Sequence, residues 1–251
     1  MKWEELTPLD FARAVEQAQG LCLLPIGVIE PHPRLPLGAE LFEPREIAVR
    51  AAQREPALVF PWYYFGEINS VKHMPGTVTL KGDMVIRLLT SVCEEISRNG
   101  LKKILIVNGH GFSDYLVFFT RLMLEEKRDF MVYLTNWWED LEGHLRQFEM
   151  HVATELALNR ELVKMEQAPE KEYDEPRGRY DHLPGLDTTV PSYGGGDGIS
   201  DDNLKAVEEG VKEGQQLLEA AVKRLVRQIQ AVKQDRVAVQ RYKDFFDKCN
   251  H

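Results

Sequence analysis

The sequence predicts an α/β fold, a three-layer α/β/α sandwich on a mostly parallel central sheet. Through the first two thirds of the chain, short apolar runs of strand length alternate with stretches whose apolar residues recur at helical spacing. One of those helical stretches ends on a stop signal directly before the next apolar run, which is the βαβ order of a parallel sheet. The chain has 251 residues, 43% of them hydrophobic, so it can bury a substantial core without disulfide or metal staples.

In chain order, Leu21–Gly27, Leu58–Trp62, Lys103–Asn108 and Met131–Asn136 read as buried strands. Between the second and third, Val85, Leu88, Leu89, Val92 and Ile96 line one face of a helix that Asn99 and Gly100 stop. Crossover helices cover both faces of such a sheet, and ligands then bind beyond the carboxyl ends of the strands. From Gln167 to Gly198 the pattern breaks into Pro, Gly, Asp and Tyr. This long loop is either a flap carrying Tyr173, Tyr180, His182 and Tyr193 or a surface excursion. Asp201 and Asp202 offer N-caps to a long helix outlined by Leu204, Val207, Val211, Leu218, Val222, Leu225 and Ile229. A last helical stretch holds Phe245 and Phe246, so 201–248 reads as C-terminal helices and 1–251 as one domain.

Charge and cysteines narrow the class. With 31 Lys and Arg against 40 Asp and Glu, the net charge of -9 gives no broad basic footprint, so neither nucleic acid nor a membrane surface is an expected partner. Cys22, Cys93 and Cys249 are widely spaced without a CxxC, which suits a reducing compartment. Residues 1–10 lack an apolar signal core, and no stretch approaches the roughly 18 uncharged residues of a membrane span. A cytoplasmic protein with a small-molecule substrate is the expectation.

Candidate chemistry clusters after the strands. Glu30 and His32 are i and i+2 in an extended segment and project to one side, with Glu40 further on and Pro33 and Pro36 stiffening the return. Imidazoles mixed with carboxylates suit Zn, Mn or Fe, although an E-x-H by itself also fits an ordinary polar loop. Next, Asn108-Gly109-His110-Gly111 ends the third strand. Its flanking glycines either display His110 beside a ligand or merely make a tight turn, and Ser113 stands where it would cap the following helix. His73-Met74-Pro75-Gly76-Thr77 is a Pro-Gly turn with an accompanying histidine. Trp137 and Trp138 follow the last strand as core or pocket wall. His151 and Glu155, i and i+4, share a helix face that is either catalytic or an exposed salt-bridged surface.

Taken together these segments resemble the creatininase family of metal-dependent amidohydrolases, whose members show E-x-H, then H-L-P-L-G-T-D, later H-x-x-x-P-G-T, and a strand ending N-G-H. Here they read Glu30-Pro31-His32, Leu35-Pro36-Leu37-Gly38-Ala39-Glu40, a shortened His73 to Thr77, and Asn108-Gly109-His110. The resemblance runs from about Leu23 to Val163, with a fainter echo from Gly198 to Gly210. It implies a creatininase-like sandwich, Glu30, His32, Glu40 and His110 as ligands of one or two divalent ions (Zn, Mn or Fe), and a homo-oligomer, a hexamer in the family. It further implies that Trp137, Trp138, Gly76 and Thr77 contact substrate, and that His151 or Glu155 is a catalytic acid/base group or a fifth ligand.

The expected reaction is hydrolytic opening of a small cyclic substrate, foremost at a cyclic amide C–N bond, by water that the ions activate. A cyclic ketone such as a keto-inositol is the alternative substrate, and a degenerate small-molecule-binding protein is the alternative class. The departures are Glu40 for the family's aspartate, one residue missing between His32 and Leu35, and Phe112 where creatininase has a glutamate and many relatives a glycine. The family's late H-x-G-x-x-E-T-S segment fits in two registers, one placing His151 at its glutamate and Arg146 at its histidine, the other placing His151 at the histidine.

Overall fold

The computed structural model describes residues 1–32, 34–111, 113–139, 141, 147–167 and 207–249. Four strands, β1 (Leu21–Ile26), β2 (Leu58–Val59), β3 (Lys103–Asn108) and β4 (Met131–Asn136), form one sheet in the order β2-β1-β3-β4. All its pairings are parallel, with Leu21 to Ile26 in register with Lys103 to Asn108, and these in turn with Met131 to Asn136. The helices are α1 (Pro8–Gln17), α2 (Ala39–Arg54), α3 (Gly82–Arg98), α4 (Asp114–Leu122), α5 (Gln147–Leu158), α6 (Val207–Gln234) and α7 (Val237–Cys249).

Alternation along the strands creates two cores. Cys22, Leu24, Ile26, Ile104 and Ile106 face one way and pack with Ala14, Leu89, Cys93, Ile96, Leu116 and Phe119 of α1, α3 and α4. Leu21, Leu23, Leu105 and Val107 face the other way, against Ile47, Ala48 and Ala51 of α2 and Leu218, Val222, Leu225 and Ile229 of α6. The three-layer sandwich follows from this, because each face of a parallel sheet must be covered.

The second strand stops at Val59, three residues short of the expected end at Trp62, because the polar groups of the next residues serve other contacts. Phe60 N–H still donates to Leu23 O at 2.9 Å, but the Phe60 carbonyl accepts from buried Arg45 at 2.5 Å. Beyond it Pro61 has no N–H to offer a ladder. Gly100, at φ +92°, ends α3 as its sequence position indicated. The flap at 167–198, beyond Gln167, and the Asp201 and Asp202 caps lie outside the described residues. Among the described residues no helix is long and apolar enough to cross a membrane.

Candidate metal centre

Glycine lets α2 meet the sheet where the polar residues gather. A Cβ on Gly109 would stand 1.8 Å from the Glu40 carbonyl oxygen, and one on Gly27 would stand 2.5 Å from that atom. Five residues into α2, Pro44 removes the N–H that would have bonded that carbonyl, so the first turn can press its backbone against β3. Gly109 therefore makes room for α2.

The first turn of α2 inserts Glu40, 4% exposed, into a ring of imidazoles. His110 Nε2 lies 3.9 Å from Glu40 Oε2, while His32 Nε2 and His151 Nε2 lie 3.7 and 3.8 Å from Glu40 Oε1. Glu30 Oε2 is 2.8 Å from His110 Nε2. Ligand atoms of Glu30, Glu40 and His110 all lie within 4.8 Å of one another.

His110 and His151 are held from behind. Asn108, at the end of β3, accepts from the His110 backbone N–H at 3.1 Å and donates to the His110 carbonyl and to Asn136 Oδ1, both at 2.8 Å. Ser113 Oγ sits 3.3 Å from His110 Nδ1 and makes no side-chain cap to α4, contrary to expectation. His110 is itself buried at 5% exposure, not displayed, because the Glu30 loop and α2 close over it. His151 Nδ1 engages Glu43 Oε2 at 2.5 Å, and its ring lies 6.4 Å from that of His32, nearly parallel at 24°. Trp137 and Trp138 flank the same ring with centroids at 5.7 and 6.3 Å. Trp137 is buried and Trp138 half-buried, so the pair is both core and wall.

The exposed salt-bridge reading of α5 is excluded, since His151 and Glu155 are fully buried at the seam with α2. Glu155 accepts a hydrogen bond from Asn159 Nδ2 at 2.9 Å, and the charge that acts on it most is that of Glu43, on the α2 side of His151. Gly76 and Thr77 form the turn beside the Glu30 loop. Gly76 (φ +85°) lies against Leu37, whose carbonyl accepts from Glu30 N–H at 3.0 Å, and Thr77 donates to the Val71 carbonyl at 2.9 Å. Phe112 and Arg146 lie outside the described residues.

Burial dominates the electrostatics. It drives the Glu40 carboxyl well above its ordinary range, with Glu30 and Glu43 adding to the effect, and it raises Glu43 likewise. Burial also raises Glu30, but the His110 hydrogen bond and the charges of His110, His32 and His151 outweigh it and the net shift is downward. His151 falls to about 4, by burial first and by His110 second. Glu155 rises to about 8, by burial and then Glu43. Glu40 Oε2 and His151 Nε2 have no hydrogen-bond partner among the described residues. Buried atoms of this kind call for a partner, and a donor set of imidazole and carboxylate fits a divalent cation, which would relieve the carboxylates.

Comparison with known proteins decides the ancestry. The sequence model of the creatininase family, described as creatinine amidohydrolase, matches residues 4–229. This chain belongs to the creatininase family. Creatininase in a manganese form is similar in fold, at TM-score 0.71 and 21% identity over 93% of this chain and 99% of that one. A putative creatinine amidohydrolase from Bacteroides fragilis superposes at TM-score 0.72 with 21% identity, over 87% and 91% of the two chains. The 3-dehydro-scyllo-inosose hydrolase of Thermotoga maritima is 32% identical over 94 residues, a match spanning 36% of this chain and 30% of that protein's length. Within the creatininase frame, the residue that sequence reasoning missed is Glu43. Its only signal was the i, i+3 spacing from Glu40, which has meaning once 39–54 is known to be helical despite Pro44.

Proposed function

We propose that this creatininase-family chain is a metal-dependent hydrolase that opens a small cyclic substrate, foremost at a cyclic amide C–N bond, with Glu30, His32, Glu40 and His110 as metal ligands. The observation that carries the reading is the convergence of three imidazole nitrogens on the two oxygens of one buried carboxylate, Glu40, with Glu30 joined to His110 and within 4.8 Å of the same group. Bound divalent ions would supply water of lowered pKa and an electrophile for the substrate carbonyl. The protein's contribution is rigidity and dryness: Asn108 and Ser113 fix the His110 ring, Glu43 fixes His151, and the half-buried Glu30, its side chain 16% exposed, faces the solvent side. His151 acts through Nε2, since Nδ1 is committed to Glu43.

Trp137, with Trp138 against it, supplies an aromatic wall, and its indole N–H has no hydrogen-bond partner among the described residues, leaving a donor for a substrate carbonyl. Gly76 and Thr77 close the loop that carries Glu30. We further propose a homo-oligomer, hexameric as the family resemblance implies. The exposed Met84, Val117 and Phe118 of α3 and α4 support it, and light scattering after gel filtration tests it.

The deciding assay uses untagged protein, stripped with chelator and reloaded with Zn²⁺ or Mn²⁺, against cyclic amides and cyclic polyol ketones, with ring opening followed by NMR. Ring opening of a cyclic amide that needs the metal and is absent in His110→Ala supports the reading. A metal-loaded protein inert toward both classes overturns it. The cyclic ketone is the second substrate class because the inosose hydrolase is the curated relative that shares 32% identity over 94 residues.

A further inference from the structure

We propose that the cleft between α7 and the amino ends of β3 and β4 is a binding site for a small aromatic anion, its ring on Phe130, Met131, Val239 and Tyr242 and its acid group between Lys127 and Lys243. The cleft lies at the opposite end of the sheet from Glu40 and the imidazoles, and the hydrolase reading makes no use of it. Its volume of about 580 Å³ is that of a small-molecule pocket.

The chain carries a net charge of -9, yet five cationic side chains and a single carboxylate, that of Asp129, line this cleft. Three of the five cations are committed elsewhere: Lys102 to Asp129, Arg128 to Glu94, and Lys103 to the carbonyls of Val232, Lys233 and Asp235 at 2.6, 2.8 and 3.2 Å. Lys127 has a loose partner, since it meets Asp247 at 3.1 Å with both side chains more than half exposed. An exposed pair of this kind contributes little, so an incoming anion can share Lys127 with Asp247. Lys243, one helical turn before Asp247 on α7, is exposed and has no ion pair or hydrogen bond among the described residues. Two ammonium groups are thus left to receive an acid group.

The floor is apolar and already set. Phe130 is buried, Met131, Val239 and Tyr242 are half-buried, and the Arg128 guanidinium carbon lies 6.0 Å from the centre of the Phe130 ring. Tyr242 pins the loop before β4, because its hydroxyl accepts from the Arg128 backbone N–H at 2.9 Å and donates to the Met123 carbonyl at 3.2 Å. Its ring rests in turn on buried Phe246, with centroids 5.0 Å apart, and Lys103 ties the end of α6 to the start of β3. Walls held in this way need no reordering when a ligand enters, so little binding energy is lost to closing them. Two aromatic rings and a thioether favour a flat ring over an alkyl chain, and the ammonium groups at the rim select one that carries negative charge.

The test is a fluorescence titration of untagged full-length protein with anilinonaphthalene sulfonate, beside its uncharged relative phenylnaphthylamine, with methionine methyl NMR to report where the probe sits. The sulfonate should saturate at one equivalent and shift the Met131 methyl resonance, which Met131→Leu assigns. Lys243→Glu should weaken its binding at least about tenfold, and the uncharged relative should bind at least about tenfold more weakly than the sulfonate and ignore that substitution. Val239→Trp should fill the cleft and abolish binding. Metal content should match wild type in both variants, because the candidate centre lies at the other end of the strands. A sulfonate that does not bind, that leaves Met131 unmoved, or that binds Lys243→Glu as tightly as wild type overturns the site. Equal affinity for the uncharged relative overturns it as a site for an anion. Should circular dichroism show that Val239→Trp does not fold, Lys243→Glu, at an exposed position, decides together with the Met131 shift.

Discussion

At the amino ends of β3 and β4 the charges are neutralised near solvent. Lys102 meets Asp129, which also accepts from Ser97 at 2.7 Å; Lys103 donates to the last carbonyls of α6, at 2.6 Å to Val232 and 2.8 Å to Lys233. Lys127 pairs with Asp247 at 3.1 Å and Arg128 with Glu94 at 2.5 Å. A cleft of about 580 Å³ opens there, lined by Phe130, Met131 and Tyr242 among others. At the carboxyl ends of the same strands the arrangement is inverted. Glu40, Glu43 and Glu155 are buried with His110 and His151, and several of their polar atoms have no hydrogen-bond partner among the described residues. The two ends therefore differ in how their charges are held: by exposed partners at the amino end, and by burial against one another at the carboxyl end, where perturbed titratable groups of this kind mark the candidate site.

If the carboxyl end is destabilised by its own carboxylates, removing one that binds no cation should stabilise the metal-free protein. Glu155, outside the proposed ligand set, is the group to remove, with its carboxyl raised from an ordinary 4.5 to about 8 by burial and by Glu43. A raised folded-state pKa means the folded protein holds this proton more tightly than the unfolded chain. The stability it contributes is therefore complete below pH 4.5 and is lost as pH rises to about 8. Glu155→Gln keeps the oxygen that accepts from Asn159 and removes the ionisation. Its gain over wild type in chelator-treated protein should grow between pH 5 and pH 8 by roughly 4 kcal/mol. Urea denaturation at the two pH values checks this, and a gain independent of pH would show that the carboxyl end is not under charge strain.

The next effect concerns how the centre is assembled. Gly109→Ala would place a methyl 1.8 Å from the Glu40 carbonyl oxygen, a backbone atom that cannot swing aside. Destabilisation of roughly 3 kcal/mol should follow, with weakened metal binding because α2 and Glu40 must retreat together. Full metal affinity with a loss in stability alone would separate the packing of α2 from the geometry of the centre.

This contact also marks where the sequence was readable and where it was not. Glu30, His32, Glu40 and His110 stood out because their types are rare together and follow apolar runs. β1 and β3 were legible within a residue because burial on both faces leaves a nearly unbroken apolar run, and the edge strand β4, half-buried along most of its length, was legible from its β-branched and aromatic residues. Glu43 was hidden because its meaning depends on α5 packing across from α2, and no local pattern encodes that encounter. For the same reason His151 carried two registers in the sequence, and only its contacts with Glu43, His32 and the tryptophans show which way its ring faces. Gly109 was legible as special, but its contact with the Glu40 carbonyl was not, because the neighbour that fills its space is far away in the chain.

The smallest effect should come from the amino end, and it sharpens the contrast. Lys102 and Asp129 keep 47% and 72% of their side-chain surface exposed, so water already solvates both charges and their attraction is screened. Ser97 hydrogen-bonds to Asp129 as well, and the carboxylate stays below its usual range through Lys102 first and Ser97 second. Without the lysine, Asp129 keeps that hydroxyl and its water. Lys102→Ala should therefore cost less than about 1 kcal/mol and should leave metal content unchanged. The comparison of interest is its salt dependence: the small loss should shrink further in 1 M NaCl, where the screening length falls to about 3 Å, whereas the Gly109→Ala loss, being steric, should persist. A Lys102→Ala loss as large as that of Gly109→Ala would mean that the amino end is under comparable constraint, and that the asymmetry between the two ends lies in their exposure alone.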